Sequence, residues 1–172
     1  PRAASLGPVD IDAGGRVRRL LGAPGPAVNS LRTLMFTGVH ILSARAFDDL
    51  PEDGCIIRSS YRKWVDSGDV VAGFVDDSPW GDLGTISDYW QANLDLTTGA
   101  RAWPGVTPSG TVIAGVGSDI GVGAQVTRTV LGAGARVVPG VRVTDAVVWP
   151  GVVVSADVSR AIVLPDQVVT VP

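Results

Sequence analysis

The sequence predicts a mixed α/β domain followed by a parallel β-solenoid. Two observations lead to this fold class. The second zone of the chain, from about residue 31 to 98, mixes apolar runs of strand length with apolar residues at helical spacing. From Val112 onward Val and Gly dominate, and aliphatic residues recur every six positions with occasional steps of five. Short strands with Gly or Pro corners at a fixed period are typical of a solenoid whose coils bury a face against their neighbours.

The first zone reads as a β-hairpin. Apolar residues alternate over residues 8–17 on both sides of an Asp/Gly cluster, which predicts a turn near residues 13–15. Residues 22–26 then run Gly-Ala-Pro-Gly-Pro and predict a surface loop, because Gly and Pro interrupt regular structure.

Two apolar runs of the second zone predict buried strands. Residues 35–42 are mostly apolar and of strand length, as expected for a strand covered on both faces. Residues 70–75 have the same character and lead to the acidic pair Asp76 and Asp77.

Three helices are predicted between and after these runs. Ser43 is a cap for a short helix that ends at Leu50 and Pro51. A second helix has its apolar residues at helical spacing and its stop at Gly68. These residues are Ile57, Tyr61, Trp64 and Val65.

The third helix is predicted from its boundaries. Thr85, with Asp88 three residues on, forms a capping box, and Gly99 ends the helix. Its predicted buried stripe consists of Ile86, Tyr89, Trp90 and Leu94.

The third zone follows a Pro/Gly-rich connection. Residues 120–125 and 131–136 both fit a six-residue rule: aliphatic, small, two unrestricted, small or Val, unrestricted. The length allows roughly three coils, near the minimum for a stable stack. The predicted domains are therefore 1–99, a linker at 100–111 and the repeat domain at 112–172.

Composition excludes several classes of protein. A net charge of −3 gives no basic footprint, which argues against nucleic acid as a partner. The single cysteine, Cys55, excludes an internal disulfide framework and fits a reducing compartment. No apolar stretch reaches the roughly 18 residues that span a bilayer, which argues against a membrane partner. A cytoplasmic location is the expectation.

The segment most informative about function is Trp-Gly-Asp-Leu-Gly-Thr at residues 80–85. It places an acidic residue, Asp82, on a Gly turn just before the third helix. A carboxylate in such a turn suits metal-assisted phosphate chemistry. The alternative is that Asp82 only accepts backbone hydrogen bonds in the turn.

The order of motifs resembles a known family. Residues 36–42, then residues 80–85, then Tyr89 and Asn93, then the repeat coils follow one another as in bacterial sugar-1-phosphate nucleotidyltransferases. The branch most similar is the one of mannose-1-phosphate guanylyltransferase-like enzymes. The resemblance implies a Rossmann-like α/β domain, of which residues 1–99 are the C-terminal part. It also implies that the coils form a left-handed parallel β-helix; the left hand comes from the resemblance alone.

The resemblance implies a reaction. In this family an oxygen of a sugar-1-phosphate attacks the α-phosphorus of a nucleoside triphosphate, which gives an NDP-sugar and pyrophosphate. Mg²⁺ held by carboxylates is the central device of such transfers, since Mg²⁺ prefers a few carboxylates with phosphate oxygens and water. The family's ligand in the Trp-x-Asp-x-Gly-Thr motif corresponds to Asp82. The strand that lines the family's sugar pocket corresponds to residues 36–42, which makes Thr37 and the backbone of Gly38 candidate sugar contacts.

This sequence departs from the family pattern at two points. The Gly-rich loop that cradles the triphosphate has no counterpart in it, nor has the second metal carboxylate. The Glu-Lys-Pro segment after the hairpin is replaced by Leu20-Leu21-Gly22-Ala23-Pro24, so Arg18 or Arg19 would have to supply the sugar-phosphate contact. We therefore expect an enzyme portion that is inactive alone and needs an N-terminal NTP-binding segment.

Other functions compete with this interpretation. A non-catalytic regulatory or scaffold homologue would act through its β-helix, whose sides and end coils are also candidate surfaces for a homo-oligomer. A hexapeptide-repeat acyltransferase would need a histidine in or beside the coils, whereas the single histidine, His40, lies well outside them. Thr37 and Gly38 could serve close strand packing alone, and His40 is expected to be a hydrogen-bonded core residue.

Overall fold

The fold is described from a computed structural model, which places residues 7–23, 30–78 and 80–172. The chain divides into two compact units, Pro1–Trp80 and Gly81–Pro172. No helix in these described ranges is long and apolar enough to cross a membrane. Residues 24–26 of the predicted loop lie outside the described residues.

Unit one is built on a three-stranded antiparallel sheet in the order β2-β1-β3. Its strands are β1 (Pro8–Ile11), β2 (Val17–Leu20) and β3 (Arg32–Met35). The predicted hairpin is confirmed, because β1 and β2 pair directly. Asp12 stabilises the turn, since its Oδ1 accepts hydrogen bonds from the backbone N–H of Gly14 at 2.9 Å and of Arg16 at 3.0 Å.

The prediction of a buried strand over residues 35–42 is wrong. Strand β3 ends at Met35, and beyond it Gly38 adopts a left-handed conformation with φ of 84°. Val39 and Ile41 are 76% and 98% exposed. The physical reason is that β3 pairs with a β1 of four residues, whose register ends at Met35, and the turn at Gly38 breaks the extended course.

The prediction of a buried strand over residues 70–75 is wrong, because the segment forms only an isolated bridge between Ala72 and Arg16 and is not buried. The segment follows β2 through two backbone hydrogen bonds, from Val17 N–H to the Val71 carbonyl and from Gly73 N–H to the Gly15 carbonyl, both 2.8 Å long. Val71 packs against the core of unit one, whereas Phe74 is 94% exposed. The segment therefore lies beside the hairpin without joining the sheet as a strand, and only one side of it contacts the core.

The helices of unit one lie where the spacing predicts them, with irregular geometry. A 3₁₀ helix spans Ala44–Asp49 after Ser43, although the Ser43 side chain makes no capping hydrogen bond. A π-helical turn, Ile57–Tyr61, continues into α1 (Arg62–Ser67), and Gly68 ends α1 in the left-handed conformation. The π-helical turn and α1 pack on the sheet core, which consists of Val9, Ile11, Val17 and Leu20.

The first helix or strand of unit two is helix α2 (Ile86–Thr98), whose boundaries are as predicted. The Thr85 hydroxyl accepts the N–H of Asp88 at 3.1 Å, its Oγ1 donates to the Asp88 carboxylate at 2.6 Å, and Gly99 ends the helix at φ of 74°. The buried stripe differs from prediction at one end, because Ile86 is 57% exposed. The buried residues of α2 are Trp90, Ala92, Leu94 and Thr97.

The rest of unit two is the predicted β-helix of about three coils. Five strands form one sheet in the order β11-β10-β8-β6-β4, and three form another in the order β5-β7-β9. All neighbours are parallel except β10 and β11. The strands are β4 (Val112–Ala114), β5 (Asp119–Ile120), β6 (Gln125–Leu131), β7 (Arg136–Val137), β8 (Arg142–Val148), β9 (Val153–Val154), β10 (Val158–Val163) and β11 (Val168–Thr170).

The interior of the β-helix is mostly aliphatic. Leu131, Val137, Val143 and Val148 are at most 1% exposed and belong to one continuous cluster. A second cluster joins α2 to the outside of the coils and consists of Trp90, Leu94, Val147, Ile162 and Val171. Helix α2 is therefore part of the β-helix unit.

Candidate functional site

The Asp82 turn opens unit two and is held by helix α2. Asp82 is exposed, and its carboxylate folds toward Gly84, where an added Cβ would lie 3.4 Å from Oδ1. Thr85 then caps the helix. The Asp82 carboxylate therefore faces solvent from a short turn, and the Thr85 cap fixes the position where this turn enters helix α2.

Helix α2 is anchored to one corner of the coils. The indole Nε1–H of Trp90 donates to the Asp145 carbonyl at 2.8 Å, and the Arg160 guanidinium lies 5.0 Å from the Trp90 ring centroid. Asp145 also forms an ion pair with Arg128 at 2.5 Å. The three charged residues occupy the same corner of successive coils, all with positive φ, at 44°, 52° and 49° for Arg128, Asp145 and Arg160.

Arg101 lies directly against the start of the Asp82 turn. A Cβ placed on Gly81 would lie 3.0 Å from Nη2 and 3.3 Å from Nη1 of Arg101. The backbone N–H of Arg101 donates to the Asp95 carbonyl at 3.1 Å, which folds the chain back after α2. Sequence reasoning missed Arg101, because it falls in the Pro/Gly-rich connection, where a lone arginine carries no pattern.

The Asp82 turn fits part of a Mg²⁺ site. Within the described ranges, no group of three or more His, Cys, Asp or Glu side chains is placed to hold a metal ion. A single exposed carboxylate is nevertheless compatible with Mg²⁺, which keeps several waters and takes one or two carboxylates together with phosphate oxygens. Asp82 could therefore supply one ligand, and the others would come from substrate, solvent or another segment.

Thr37 and Gly38 lie in unit one, in the exposed turn after β3. Both are exposed. Gly38 has a left-handed φ, and no atom lies within 4 Å of the position where its Cβ would be. His40, two residues on, is also exposed rather than in the core, and its Nδ1 lies 2.9 Å from the Tyr61 hydroxyl. Its ring packs edge-on against Phe36 at 5.0 Å between centroids.

The pKa values of three carboxylates of unit one, Asp12, Asp49 and Asp76, lie below their ordinary value. Lys63 and the indole N–H of Trp64 donate to Asp49, and these hydrogen bonds hold the pKa of Asp49 below its ordinary value. The backbone N–H of Arg16 and the Arg18 side chain lower the pKa of Asp12 in the same way. Arg18 is 2.6 Å from Asp12, so it is already paired within its own unit.

Burial raises the pKa of Tyr61, whose hydroxyl faces His40. The phenol is therefore a neutral hydrogen-bond partner at physiological pH. The sequence analysis placed three of these residues within predicted helices but did not predict their hydrogen bonds. They are Asp49, Tyr61 and Trp64.

Known proteins show a consistent similarity to this chain. The family model described as nucleotidyl transferase matches residues 1–99, more than half of the chain. Mannose-1-phosphate guanylyltransferase of Mycobacterium tuberculosis is 30% identical over 124 residues, which cover 69% of this chain and 34% of that protein. Glucose-1-phosphate adenylyltransferase of Paraburkholderia phytofirmans is 24% identical over 217 residues, which cover 99% and 52%.

A second glucose-1-phosphate adenylyltransferase, from Agrobacterium fabrum, is 30% identical over 128 residues, which cover 60% of this chain and 30% of that protein. The chain thus spans between about a third and a half of the length of the curated relatives it matches. The family match covers the sheet of unit one, the Asp82 turn and helix α2. With its β-helix following that match, the chain belongs to the sugar-1-phosphate nucleotidyltransferase family.

Proposed function

We propose that this chain is the C-terminal portion of a nucleotidyltransferase that makes an NDP-sugar, GDP-mannose, and pyrophosphate from a sugar-1-phosphate and an NTP. The observation that carries the proposal is the exposed carboxylate of Asp82 on a turn fixed by the capped helix α2, inside the family match. Asp82 would hold Mg²⁺, which when bound neutralises charge on the phosphates and helps to align them. The remaining ligands and the triphosphate site would come from an N-terminal NTP-binding segment.

Unit one would contribute the sugar side. Thr37 offers a hydroxyl, and Gly38 offers a backbone that a ring hydroxyl can approach without meeting a side chain. Arg18 is a poor replacement for the family's missing lysine, because it is engaged by Asp12. We expect the enzyme to work in the cytoplasm. If it forms a homo-oligomer, we expect the β-helix to provide the contact surface.

The metal role of Asp82 is tested in the complete enzyme. Replacing Asp82 by Asn should lower magnesium-dependent turnover on the order of a hundredfold, since a metal ligand contributes several kcal/mol to charge stabilisation. Asp119→Asn is the matched control, because Asp119 is an exposed carboxylate of the same unit on strand β5. Unchanged turnover in Asp82→Asn would overturn the metal assignment.

The choice of substrate is tested separately. The relatives include a mannose-1-phosphate guanylyltransferase and glucose-1-phosphate adenylyltransferases, so the four combinations of mannose- or glucose-1-phosphate with GTP or ATP form the assay. The proposal expects the highest kcat/KM with mannose-1-phosphate and GTP. Highest kcat/KM with glucose-1-phosphate and ATP would replace it.

A non-catalytic scaffold homologue is the second candidate. It is favoured by the loss of the lysine segment, which reads Leu20-Leu21-Gly22-Ala23-Pro24 here. Absence of turnover with all four substrate pairs in the complete protein, together with specific binding of a partner by the β-helix, would establish it instead.

A further inference from the structure

Arg101 is a half-buried arginine of unit two whose guanidinium lies against Gly81. Within the described ranges, no carboxylate oxygen lies within 4.0 Å of the Arg101 guanidinium, so Arg101 forms no salt bridge there. Its guanidinium also makes no hydrogen bond to a described residue, although the side chain is half-buried. A guanidinium carries five donors, so this side chain has donors to offer to a ligand.

The place of Arg101 suggests what that ligand is. Its terminal nitrogens lie where a side chain of Gly81 would stand, one residue before the carboxylate of Asp82. An arginine beside a candidate metal carboxylate is a suitable partner for phosphate, because its planar fork binds two oxygens at once. The metal ion and the guanidinium would then both neutralise charge on the same phosphate group.

The contact between Arg101 and Gly81 also limits which side chain residue 81 can carry. Its φ lies outside the left-handed region, so its backbone does not require glycine. A Cβ at this position would approach Nη2 at 3.0 Å, so a side chain on residue 81 would have to displace the guanidinium. The sequence therefore keeps a residue without a side chain at the position where the guanidinium is seated.

We propose that Arg101 binds a phosphate group of the substrate or of the pyrophosphate product beside Asp82. The inference depends on the proposed function only for the identity of the ligand. Arg101 is a binding residue in this proposal, with no covalent step. Gly81 is a positioning residue, which acts by leaving room for the guanidinium.

The test uses the 172-residue chain and inorganic pyrophosphate, titrated by calorimetry without divalent metal. Arg101→Gln should weaken pyrophosphate binding about tenfold or more, as expected for lost hydrogen bonds to a charged group. Arg101→Lys should recover part of the affinity, because it keeps the charge but loses the fork. The matched control is Arg136→Gln, since Arg136 is an exposed arginine on strand β7 of the same unit.

A second variant tests the seat of the guanidinium. Gly81→Ala removes no ligand atom but should weaken pyrophosphate binding several-fold, because the new methyl group displaces Arg101. Binding should also weaken as ionic strength rises.

Two outcomes would overturn the inference: no pyrophosphate binding by the unaltered chain, or equal affinity in Arg101→Gln and the unaltered chain. In the second case, a lower Tm of Arg101→Gln would make Arg101 a tether of the loop. Neither of them affects the metal role of Asp82, which is tested by Asp82→Asn turnover in the complete enzyme. Failure of the inference and failure of the proposed function are therefore separable.

Discussion

Asp49 shows how a surface carboxylate of unit one contributes to stability through its hydrogen bonds. It joins the end of the 3₁₀ helix to α1, because Lys63 and Trp64 of the later helix both donate to it. These bonds favour the ionised carboxylate and lower its pKa from the ordinary value of 3.8. The folded state therefore binds this proton less readily than the unfolded chain does.

The sign of the resulting pH dependence follows from that shift. The contribution of Asp49 is fully present above the unfolded pKa and is lost as pH falls through the lowered folded pKa. Asp49→Asn should lower the free energy of unfolding at pH 7 and should make it fall less steeply below about pH 4. Urea unfolding at a series of pH values measures both effects.

Asp48→Asn is the control for this prediction. Asp48 is the exposed neighbour of Asp49 and accepts no hydrogen bond from a described side chain. Identical pH profiles for Asp49→Asn and Asp48→Asn would show that the hydrogen bonds of Asp49 do not stabilise the fold.

Helix α2 is the element that connects the Asp82 turn to the coils. Its start is fixed by the Thr85 cap, and its middle is fixed by Trp90 and Leu94, which pack on strands β8 and β10 through Val147 and Ile162. A helix of 13 residues is marginal by itself in water, so most of its stability comes from this apolar face. The geometry of the Asp82 turn therefore depends on the β-helix.

Trp90→Phe tests the polar part of this anchor. The substitution keeps an aromatic ring but removes the donor to the Asp145 carbonyl, and we expect a loss of about 1–3 kcal/mol for a carbonyl left unpaired. Trp149→Phe should cost less than about 0.5 kcal/mol, because Trp149 is 44% exposed. Thermal and urea unfolding compare the two, and equal losses would contradict the anchor.

The coils themselves depend on glycine at close contacts. A Cβ on Gly121 would lie 2.4 Å from the backbone nitrogen of Pro139 in the next coil, whereas Gly123 has open space but a left-handed φ of 77°. Gly121→Ala should therefore force adjacent coils apart, at a cost of about 3 kcal/mol or more.

The control separates space from conformation. Gly123→Ala should cost about 1–2 kcal/mol, because only its φ is unfavourable for alanine. Urea unfolding of both variants measures the difference. A smaller loss for Gly121→Ala than for Gly123→Ala would mean that the coil contact is not tight in solution.

At the scale of the whole molecule, the division between the two units falls within the Trp-Gly-Asp-Leu-Gly-Thr segment, between Trp80 and Gly81. Unit two begins at Gly81, so Asp82 and Arg101 are in the same compact unit as the β-helix, whereas Thr37 and Gly38 are in unit one. The aliphatic interior of unit two is complete within residues 81–172. The domain boundaries predicted at residues 99 and 112 stay predictions.

Unit two should fold when expressed as residues 81–172. Its strands pair with one another, and its two apolar clusters contain no described residue of unit one, so we expect a cooperative thermal transition and a β-rich circular dichroism spectrum. A fragment of residues 112–172 is the control and should be less stable, because it lacks Trp90 and Leu94. A fully unfolded 81–172 fragment would contradict the division.

The sequence by itself determined the local features of this protein. The hairpin turn around Asp12, the Thr85 cap, the Gly68 and Gly99 helix ends and the periodic coils follow from short-range chemistry, which neighbouring residues decide. The order of motifs also placed the chain in its family, with the Asp82 turn before a capped helix.

Only the tertiary structure decided burial and partnership. Residues 35–42 and 70–75 have the composition of buried strands, but whether such a run is covered depends on distant segments that sequence periodicity does not contain. The same holds for Arg101, whose closeness to Gly81 arises because the chain folds back after α2. The physical reason is common to both: period and capping act over a few residues, whereas contacts across twenty residues or more are set by packing.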